Sequence, residues 1–546
     1  MTGLGGEAVS GESMVHSATR VGRFRRTPVP ALCAGLLALA RPALADTVVS
    51  PPPRDDSFEI QAYDIEGNTL LDDLAVEGAV YPHLGPERTR ADVDAAREAL
   101  EEAYHKRGYQ TVVVEIPAQT VGDGIVRLHV VEAPIGRLRV TGSRYTALDR
   151  IRTLTPSLRE GQVPDLNQAQ KDLAEANRLP DSRVTPLLKP GKVPGTIDVD
   201  LKVKDTLPVH ASVALDNDHS ANTEPLRLTA SLRYSNLWQL GHTLSATYLV
   251  APQDRSQVEV FSGSYLAPIW GTPWSVLAYG YTSNSSVATL GGLSVLGKGY
   301  TIGLRGILQL PQMGDISQSL NVGLDFKHSL DAVGTDHPNT VDYVPLNATY
   351  SLQRSTDSST TDLTLALTAG LRGIGSDAAT FENKRLVARS NFVHLNVDFD
   401  HDQRLPLGLV SAVRFSGQFS NQALVSGEQV AAGGLTSVRG YLQSEAIGDD
   451  GVVGSVELRS PSFAQHLGSL IDEWRVFAFA DGAYVWVIDP AAEQRADFAI
   501  YSAGLGTRFQ VWRHIHGDVA VAVPLIAGPA TRPKRPNATF SLKTDF

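Results

Sequence analysis

The last two-thirds of the chain alternates between apolar and polar residues with a period of two. In the segment 474–486, one face carries Trp474 and Trp486, whereas the opposite face carries Arg475 and Asp481. Because successive side chains of a strand point to opposite faces, this period predicts β-strands rather than helices. The pattern begins near residue 207 and continues to the end of the chain.

Charged residues in the middle of the predicted strands distinguish this pattern from that of a soluble sandwich. A transmembrane barrel has lipid outside, water inside and aromatic residues near the strand ends, and the pattern has these features. The strands that fit it are at residues 209–217, 225–235, 243–251, 257–267, 273–282, 299–310, 317–328, 342–352, 361–371, 388–400, 408–420, 452–460, 474–486, 498–511, 517–525 and 537–546. They are even in number, as closure with both chain ends on one side requires.

The connections between the predicted strands alternate in length. Short turns that contain proline fall on one side, at residues 268–271, 311–314 and 406–408. Longer polar loops fall on the other side, at residues 283–298, 329–341, 372–387 and 421–451. Short periplasmic turns and long external loops are typical of outer-membrane barrels. The chain ends on Phe546, and an aromatic terminus fits the last strand of such a barrel.

The chain before the barrel has helical periodicity and predicts two small α/β units of the order β-α-α-β-β. The strands of the first unit are at 58–65, 110–116 and 124–132, and its clearest helix is at 90–105. The second unit has strands at 136–140, 184–188 and 196–203 and helices at 148–158 and 166–178. The predicted fold class is mainly β, with two α/β domains at 57–133 and 134–206 before a sixteen-stranded antiparallel transmembrane barrel at 207–546.

The first 45 residues have the composition of a signal peptide. A basic segment, an apolar core and a small-residue cleavage site follow one another at residues 20–26, 31–40 and 43–45. Two glutamates precede Met14, so translation is expected to begin there. Cleavage after Ala45 removes Cys33, the only cysteine, and predicts a mature chain without a disulfide. A proline-rich linker then spans 46–56.

Composition argues against several functional classes. The net charge of −11 disfavours a nucleic-acid partner, and the sequence has no phosphate-binding motif of the G-x-x-x-x-G-K-[ST] kind. One strand face carries His514, His516 and Asp518, which could suggest a metal site. The predicted topology puts them at a periplasmic turn, so we favour the interpretation that these side chains are solvated. The sequence therefore predicts no enzyme activity, no cofactor and no metal.

A glycine-rich stretch lies late in the longest loop. Gly433, Gly434 and Gly440 tolerate positive φ and allow the chain to turn back sharply. Between them is a lone arginine, Arg439, followed closely by Tyr441. One interpretation is a flexible surface loop. The other is a loop that folds into the barrel and pairs Arg439 with an acid on the wall.

Two α/β units before a sixteen-stranded barrel resemble the two-partner secretion transporters (TpsB type). These are also called haemolysin secretion/activation proteins and belong to the POTRA-barrel superfamily. The most specific match is the tetrad Val438-Arg439-Gly440-Tyr441, which in this family lies in a loop that folds into the barrel. The resemblance covers nearly the whole mature chain and identifies the α/β units as POTRA-like domains.

A second family motif, F-x-D-x-G on an inner barrel strand, matches Phe479 and Asp481. The chain departs from it at the last position, where Ala483 replaces glycine. The resemblance implies that Arg439 contacts Asp481 in the lumen. Glu457, on the polar face of the neighbouring strand, is a competing acid, and the sequence leaves both open.

The resemblance implies an outer-membrane transporter that secretes a haemolysin- or adhesin-like exoprotein, with the POTRA domains in the periplasm. The implied partners are this exoprotein with its N-terminal secretion domain, outer-membrane lipid, and the barrel assembly machinery during biogenesis. Many members of the family carry an N-terminal helix that plugs the barrel. The linker at 46–56 is too short for such a helix, so the loop at 421–451 is expected to be the main obstruction.

Two other functions compete with secretion. A β-barrel insertase shares the superfamily and the tetrad, although such proteins usually carry more POTRA domains. A passive porin shares the barrel but has no need of the N-terminal α/β pair.

Overall fold

A computed structural model of the chain describes residues 57–285, 287–290, 293–331, 339–466 and 468–546. The predicted signal peptide and the proline-rich linker lie outside the described residues. None of the helices in the described ranges is both long and apolar enough to cross a membrane.

The first POTRA-like unit packs two helices on a three-stranded sheet. Its elements are β1 (Phe58–Ile60), β2 (Ala62–Glu66), α1 (Asp73–Val80), β3 (Gly85–Arg88), α2 (Arg90–Lys106), β4 (Val113–Glu115) and β5 (Ile125–Val131). β5 lies between β2 and β4 and is parallel to β2. The core includes Leu100 and Tyr104, which lie on the apolar face of α2.

The strand predicted at 58–65 is divided in the structure. The backbone N–H groups of Gln61 and Ala62 both donate to the carbonyl of Gly124. Because one carbonyl accepts two consecutive N–H groups, the regular hydrogen-bond pattern with β5 is interrupted at this point. β1 therefore lies outside the three-stranded sheet and pairs with β3 instead.

The second unit repeats the connectivity of the first. Its elements are β6 (Ile135–Thr141), α3 (Leu148–Leu154), α4 (Leu166–Ala176), β7 (Ser182–Pro190) and β8 (Ile197–Asp205). The sheet order is β6-β8-β7, with β8 parallel to β6 and antiparallel to β7. A buried apolar cluster that includes Ile151 and Leu201 joins its helices to its sheet.

The rest of the chain forms a closed antiparallel barrel. In chain order its elements are β9 (Val209–Asp216), β10 (Arg227–Leu237), β11 (His242–Val250), β12 (Glu259–Pro268), β13 (Trp274–Ser283), β14 (Val287–Leu290), β15 (Leu293–Leu296), β16 (Lys298–Gln309), β17 (Ile316–Asp331), β18 (Asn339–Ser355), β19 (Ser359–Gly375), α5 (Ala378–Lys384), β20 (Val393–Arg404), β21 (Val410–Ser420), β22 (Val430–Ala432), β23 (Ala446–Gly448), β24 (Asp450–Arg459), β25 (Ile471–Trp486), β26 (Asp497–Val511), β27 (Ile515–Pro524) and β28 (Asn537–Asp545). Across the described residues sixteen of these strands close the barrel, with β28 paired to β9, which confirms the predicted fold class.

Two hairpins and one helix lie in loops for which the sequence predicted no secondary structure. They are β14–β15, β22–β23 and α5. The strand predicted at 388–400 starts later, at Val393, because Ala388 and Phe392 are buried against Tyr343 instead of extending the ladder. The remaining predicted barrel strands overlap their observed counterparts.

The alternation along β25 follows the predicted faces. Phe477 and Asp481 are 3% and 4% exposed, whereas Val476 and Tyr484 are 46% and 41% exposed. The apolar face therefore points outward and the mixed face points into the barrel.

The second POTRA-like unit packs against the barrel turns at 238–241 and 269–273. The ring of Trp270 packs against the apolar core of that unit, and its Nε1 donates to the carbonyl of Leu240 at 2.6 Å. The guanidinium carbon of Arg150 lies 4.6 Å from the centre of the same ring. This end of the barrel carries the short proline turns and faces the POTRA-like units.

Candidate functional site

The connection between β21 and β24, residues 421–449, folds into the barrel; we name it the lumen loop. Its strands β22 and β23 form a short hairpin with Val430 opposite Gly448. Further along the loop, Val438 and Tyr441 are buried in an apolar cluster with residues of β25 and β26. The glycine-rich stretch is therefore packed against the inner wall.

Arg439 places its guanidinium between two carboxylates on the barrel wall. Its Nε and Nη2 donate to the two carboxylate oxygens of Asp481, each at 2.8 Å. Its Nη1 donates to Oε2 of Glu457 at 2.7 Å. The two acids that the sequence posed as alternatives therefore both contact Arg439. Only Asp481 has the bidentate geometry that makes such pairs strong.

Further contacts hold this arrangement, which we name the Arg439 network. The backbone N–H of Arg439 donates to Asp481 at 3.1 Å, and the hydroxyl of Ser455 donates to the same carboxylate at 2.7 Å. The guanidinium carbon lies 3.5 Å from the ring centre of Phe479, which is cation–π geometry. Arg439, Asp481 and Glu457 are at most 8% exposed, so each charge depends on its partners for compensation.

The other residues of the tetrad fit the loop against β26 and β27. The hydroxyl of Tyr441 lies 2.9 Å from the carbonyl oxygen of Tyr501 and 2.8 Å from that of Ile526. Gly440 has a φ of +94° and approaches β27 closely.

Substitution of Gly440 by alanine is expected to displace the lumen loop. A Cβ at this position would lie 2.8 Å from the Cβ of Ala522, and the positive φ adds strain. Protease cleavage of the loop in intact outer membranes should increase. The control is Gly454→Ala on β24, where a Cβ meets nothing within 4 Å. Equal cleavage of the two variants would contradict the prediction.

The start of the lumen loop binds a different part of the wall, and its end binds the connection between α5 and β20. The carboxylate of Glu428 accepts from Nζ of Lys327 at 2.6 Å and from the hydroxyl of Tyr343 at 2.7 Å. Nε2 of His394 lies 3.2 Å from its other oxygen. Nη2 of Arg385 donates to Asp449 at 2.6 Å. The loop therefore crosses the lumen between the β17–β20 wall and the β24–β25 wall.

The sequence analysis assigned no contact to Glu428, Asp449, Lys327 or His394. Lys327 and His394 could have been identified as charged or titratable residues on the polar faces of predicted strands. Lys327 and His394 are 3% and 1% exposed, and both point inward.

Asp218, in the external connection between β9 and β10, also contacts the lumen loop. Its Oδ1 accepts from the backbone N–H of Leu435 at 3.0 Å. Burial raises the pKa of Asp218 from 3.8 to about 7; the charge of Asp216 adds to this, and the Leu435 N–H and Arg227 oppose it. Gly434 and Leu435 of the lumen loop lie against this carboxyl group, so release of the loop exposes it to water. The carboxyl group is therefore more readily protonated when the loop is docked than when it is released.

Docking of the lumen loop is expected to weaken as pH rises from about 4 to about 7. Because the pKa of Asp218 is raised in the docked state, its protonated carboxyl group stabilises the docked loop. This stabilisation is complete below the ordinary pKa of 3.8 and is lost as pH rises through about 7. Channel-opening frequency in planar bilayers measures this. The variant Asp218→Asn should remove the dependence, and an unchanged pH profile in that variant would contradict the assignment.

The remaining predicted residues lie apart from the Arg439 network. The backbone N–H of Phe546 donates to the carbonyl of Ala211 at 2.8 Å, at the seam where the barrel closes. His516 lies 3.3 Å from Asp545, whereas Asp518 pairs with Arg508. Within the described ranges no three His, Cys, Asp or Glu residues are grouped to hold a metal ion.

Comparisons with known proteins agree with this architecture. The family described as "Haemolysin secretion/activation protein ShlB/FhaC/HecB" matches residues 195–509, and the ShlB-type POTRA domain matches residues 58–133. The heme/hemopexin transporter protein HuxB of Haemophilus influenzae strain 86-028NP is 22% identical over 81% of this chain and 79% of its own. The outer membrane transporter CdiB of Escherichia coli is 22% identical over 88% of this chain and 82% of its own.

Solved structures show the same fold. CdiB from Escherichia coli has a TM-score of 0.62 and 19% identity, and the match covers 91% of this chain and 93% of that one. BamA from Haemophilus ducreyi, lacking POTRA domains 1–3, has a TM-score of 0.54 and 14% identity, with coverage of 90% and 100%. The chain therefore belongs to the haemolysin secretion/activation protein family, ShlB/FhaC/HecB, and is an outer-membrane transporter of two-partner secretion whose POTRA domains face the periplasm.

Proposed function

We propose that the lumen loop closes the conduit at rest and that the Arg439 network holds it in place until a secreted partner enters. The observation that carries this proposal is the guanidinium of Arg439 buried between Asp481 and Glu457. The contacts of Glu428 with the opposite wall support it, because a loop held at both sides obstructs the lumen. The partner is an exoprotein with an N-terminal secretion domain.

The POTRA domains bind the unfolded N-terminal segment of the cargo by adding it as a strand to an open sheet edge. Main-chain hydrogen bonds supply affinity in this mode of binding. The edge strand β2 is the preferred candidate, since its outer side has no main-chain partner among the described residues. In contrast, β7 contains Pro186 and Pro190, which lack an N–H group for pairing.

Site-specific photo-crosslinking tests the cargo-binding edge. A photoreactive residue in place of Glu66, at the end of β2, should capture the N-terminal segment of the cargo during export. The control position is Glu98 on α2, another exposed glutamate, with 72% side-chain exposure against 56% for Glu66. Capture at Glu98 as strong as at Glu66 would exclude β2 as the binding edge.

Passage through the barrel requires the lumen loop to leave its docked position. The sequence carries no nucleotide-binding motif of the Walker type. Folding of the cargo outside the cell is then the source of free energy, since a folded domain does not return through the conduit. A cargo whose external domain is prevented from folding should therefore remain trapped across the membrane.

A further inference from the structure

The external connection between β27 and β28, residues 525–536, differs in charge from the chain as a whole. It contains Arg532, Lys534 and Arg535 and no acidic residue, although the chain has a net charge of −11. All three side chains belong to exposed residues, and none forms an ion pair in the part of the chain that the structure describes. We name this connection the basic loop.

The basic loop begins at the lipid-facing surface of the barrel. The backbone N–H of Leu525 donates to the carbonyl of Tyr501, whose side chain is 45% exposed on the outer face of β26. Leu525 and Ile526 are 53% and 37% exposed. Tyrosine is enriched where a membrane meets water, and apolar residues beside it contact acyl chains. The three cations that follow are thus placed near lipid headgroups.

The conformation of the basic loop is fixed by the lumen loop. The carboxylate of Glu445 accepts from the backbone N–H groups of Ala530 and Thr531 at 2.8 Å and 2.6 Å. The hydroxyl of Tyr441 contacts the carbonyl of Ile526, and the N–H of Lys534 donates to the carbonyl of Pro524 at 2.8 Å. Such fixed backbone lowers the entropy lost on binding a ligand.

We propose that the basic loop binds the phosphate groups of anionic lipids in the outer leaflet of the membrane. Exposed guanidinium and ammonium groups without carboxylate partners favour phosphate, which accepts charge-assisted hydrogen bonds from several donors at once. Cations near an anionic membrane surface each contribute to binding. Because Glu445 and Tyr441 contact the basic loop, the bound lipid stabilises the docked lumen loop as well.

Lipid titration of the full-length protein in nanodiscs tests this site. The probe is a bisphosphorylated glycolipid in a zwitterionic bilayer, with bound lipid counted by native mass spectrometry. The combined variant R532Q/K534Q/R535Q should bind it about tenfold more weakly or worse. The matched control is R372Q/R389Q/R495Q, which removes the same charge from exposed arginines elsewhere on the external side and should bind like wild type.

Three results would overturn the proposal. They are equal binding by the two combined variants, equal binding of the dephosphorylated glycolipid, and full displacement of the lipid by millimolar inorganic phosphate, which would mark a site for free anions. Unchanged heat-dependent gel mobility shows that a variant barrel is folded. The titration contains no cargo, so its outcome is independent of whether the chain secretes one.

Discussion

Replacement of Arg439 by alanine is expected to release the lumen loop from the wall and to arrest cargo in the periplasm, while the barrel still reaches the outer membrane. The released loop stays tethered at both ends inside the lumen, so without a docked position to return to it obstructs the path of a polypeptide. The substitution leaves Asp481 buried without its cation, and Glu457 keeps only its contact with Arg459. Removing one partner of a buried ion pair costs about 3–5 kcal/mol. About 1.4 kcal/mol corresponds to tenfold in an equilibrium, so docking should weaken by at least roughly a hundredfold. Cargo in the medium, normalised to the transporter in the membrane, measures the effect.

The contacts of Asp481 and Glu457 predict which of the two acids is more important for secretion. Arg439 donates three hydrogen bonds to Asp481 and one to Glu457. Glu457 also keeps Arg459 as a partner at 2.7 Å. Asp481→Asn should therefore reduce secretion more than Glu457→Gln. Arg439→Lys should fall between wild type and alanine, because lysine keeps the charge but not the bidentate fork. The opposite order of the two acid variants would contradict this account of the network.

Removal of the inner part of the lumen loop is expected to raise single-channel conductance several-fold. Residues 430–448 can be replaced by two glycines with little strain, because Val430 and Gly448 are paired neighbours at the base of the hairpin. The loop is held by Glu428 on one wall and by Arg439 on the other, so its removal leaves an open path for ions. Planar-bilayer recordings of the purified protein measure the change.

A second deletion distinguishes loss of the obstruction from general damage to an external loop. Residues 490–495, in the connection between β25 and β26, are all exposed. Their replacement by two glycines should leave conductance close to wild type. If the deletion of 430–448 gave no larger conductance than this control, the lumen loop would not be the obstruction.

The barrel was predictable because apolar and polar residues alternate along each strand. This alternation shows which side chains face lipid and which face the lumen. In β25 the two-residue period alone assigned Asp481 and Phe477 to the inner face, where both are buried. The topology followed because short turns and long loops alternate along the chain. The largest shift of a strand start is in β20, because the apolar residues Ala388 and Phe392 pack against Tyr343. A strand pattern does not distinguish such residues from a lipid-facing run.

The contacts of the lumen loop were less accessible to sequence reasoning. The two-residue period of a strand shows which face of the sheet a side chain occupies. It does not give the position of that side chain along the barrel axis, because the strands are tilted. Lys327, Tyr343 and His394 belong to three strands, yet all three contact Glu428. Their meeting depends on strand stagger and on the path of the loop. Arg439 was identified because its glycine neighbours and the family motif singled it out.

Secretion and membrane-protein assembly can be separated by one quantitative measurement in living cells. Cells that lack this chain, and the same cells complemented with it, are compared for cargo in the medium, cargo in the periplasm and the abundance of other outer-membrane barrels. The expected result is that loss of the chain moves the cargo from the medium to the periplasm and leaves the other barrels unchanged. Normal release of cargo together with depletion of other barrels would contradict it and identify an assembly factor instead.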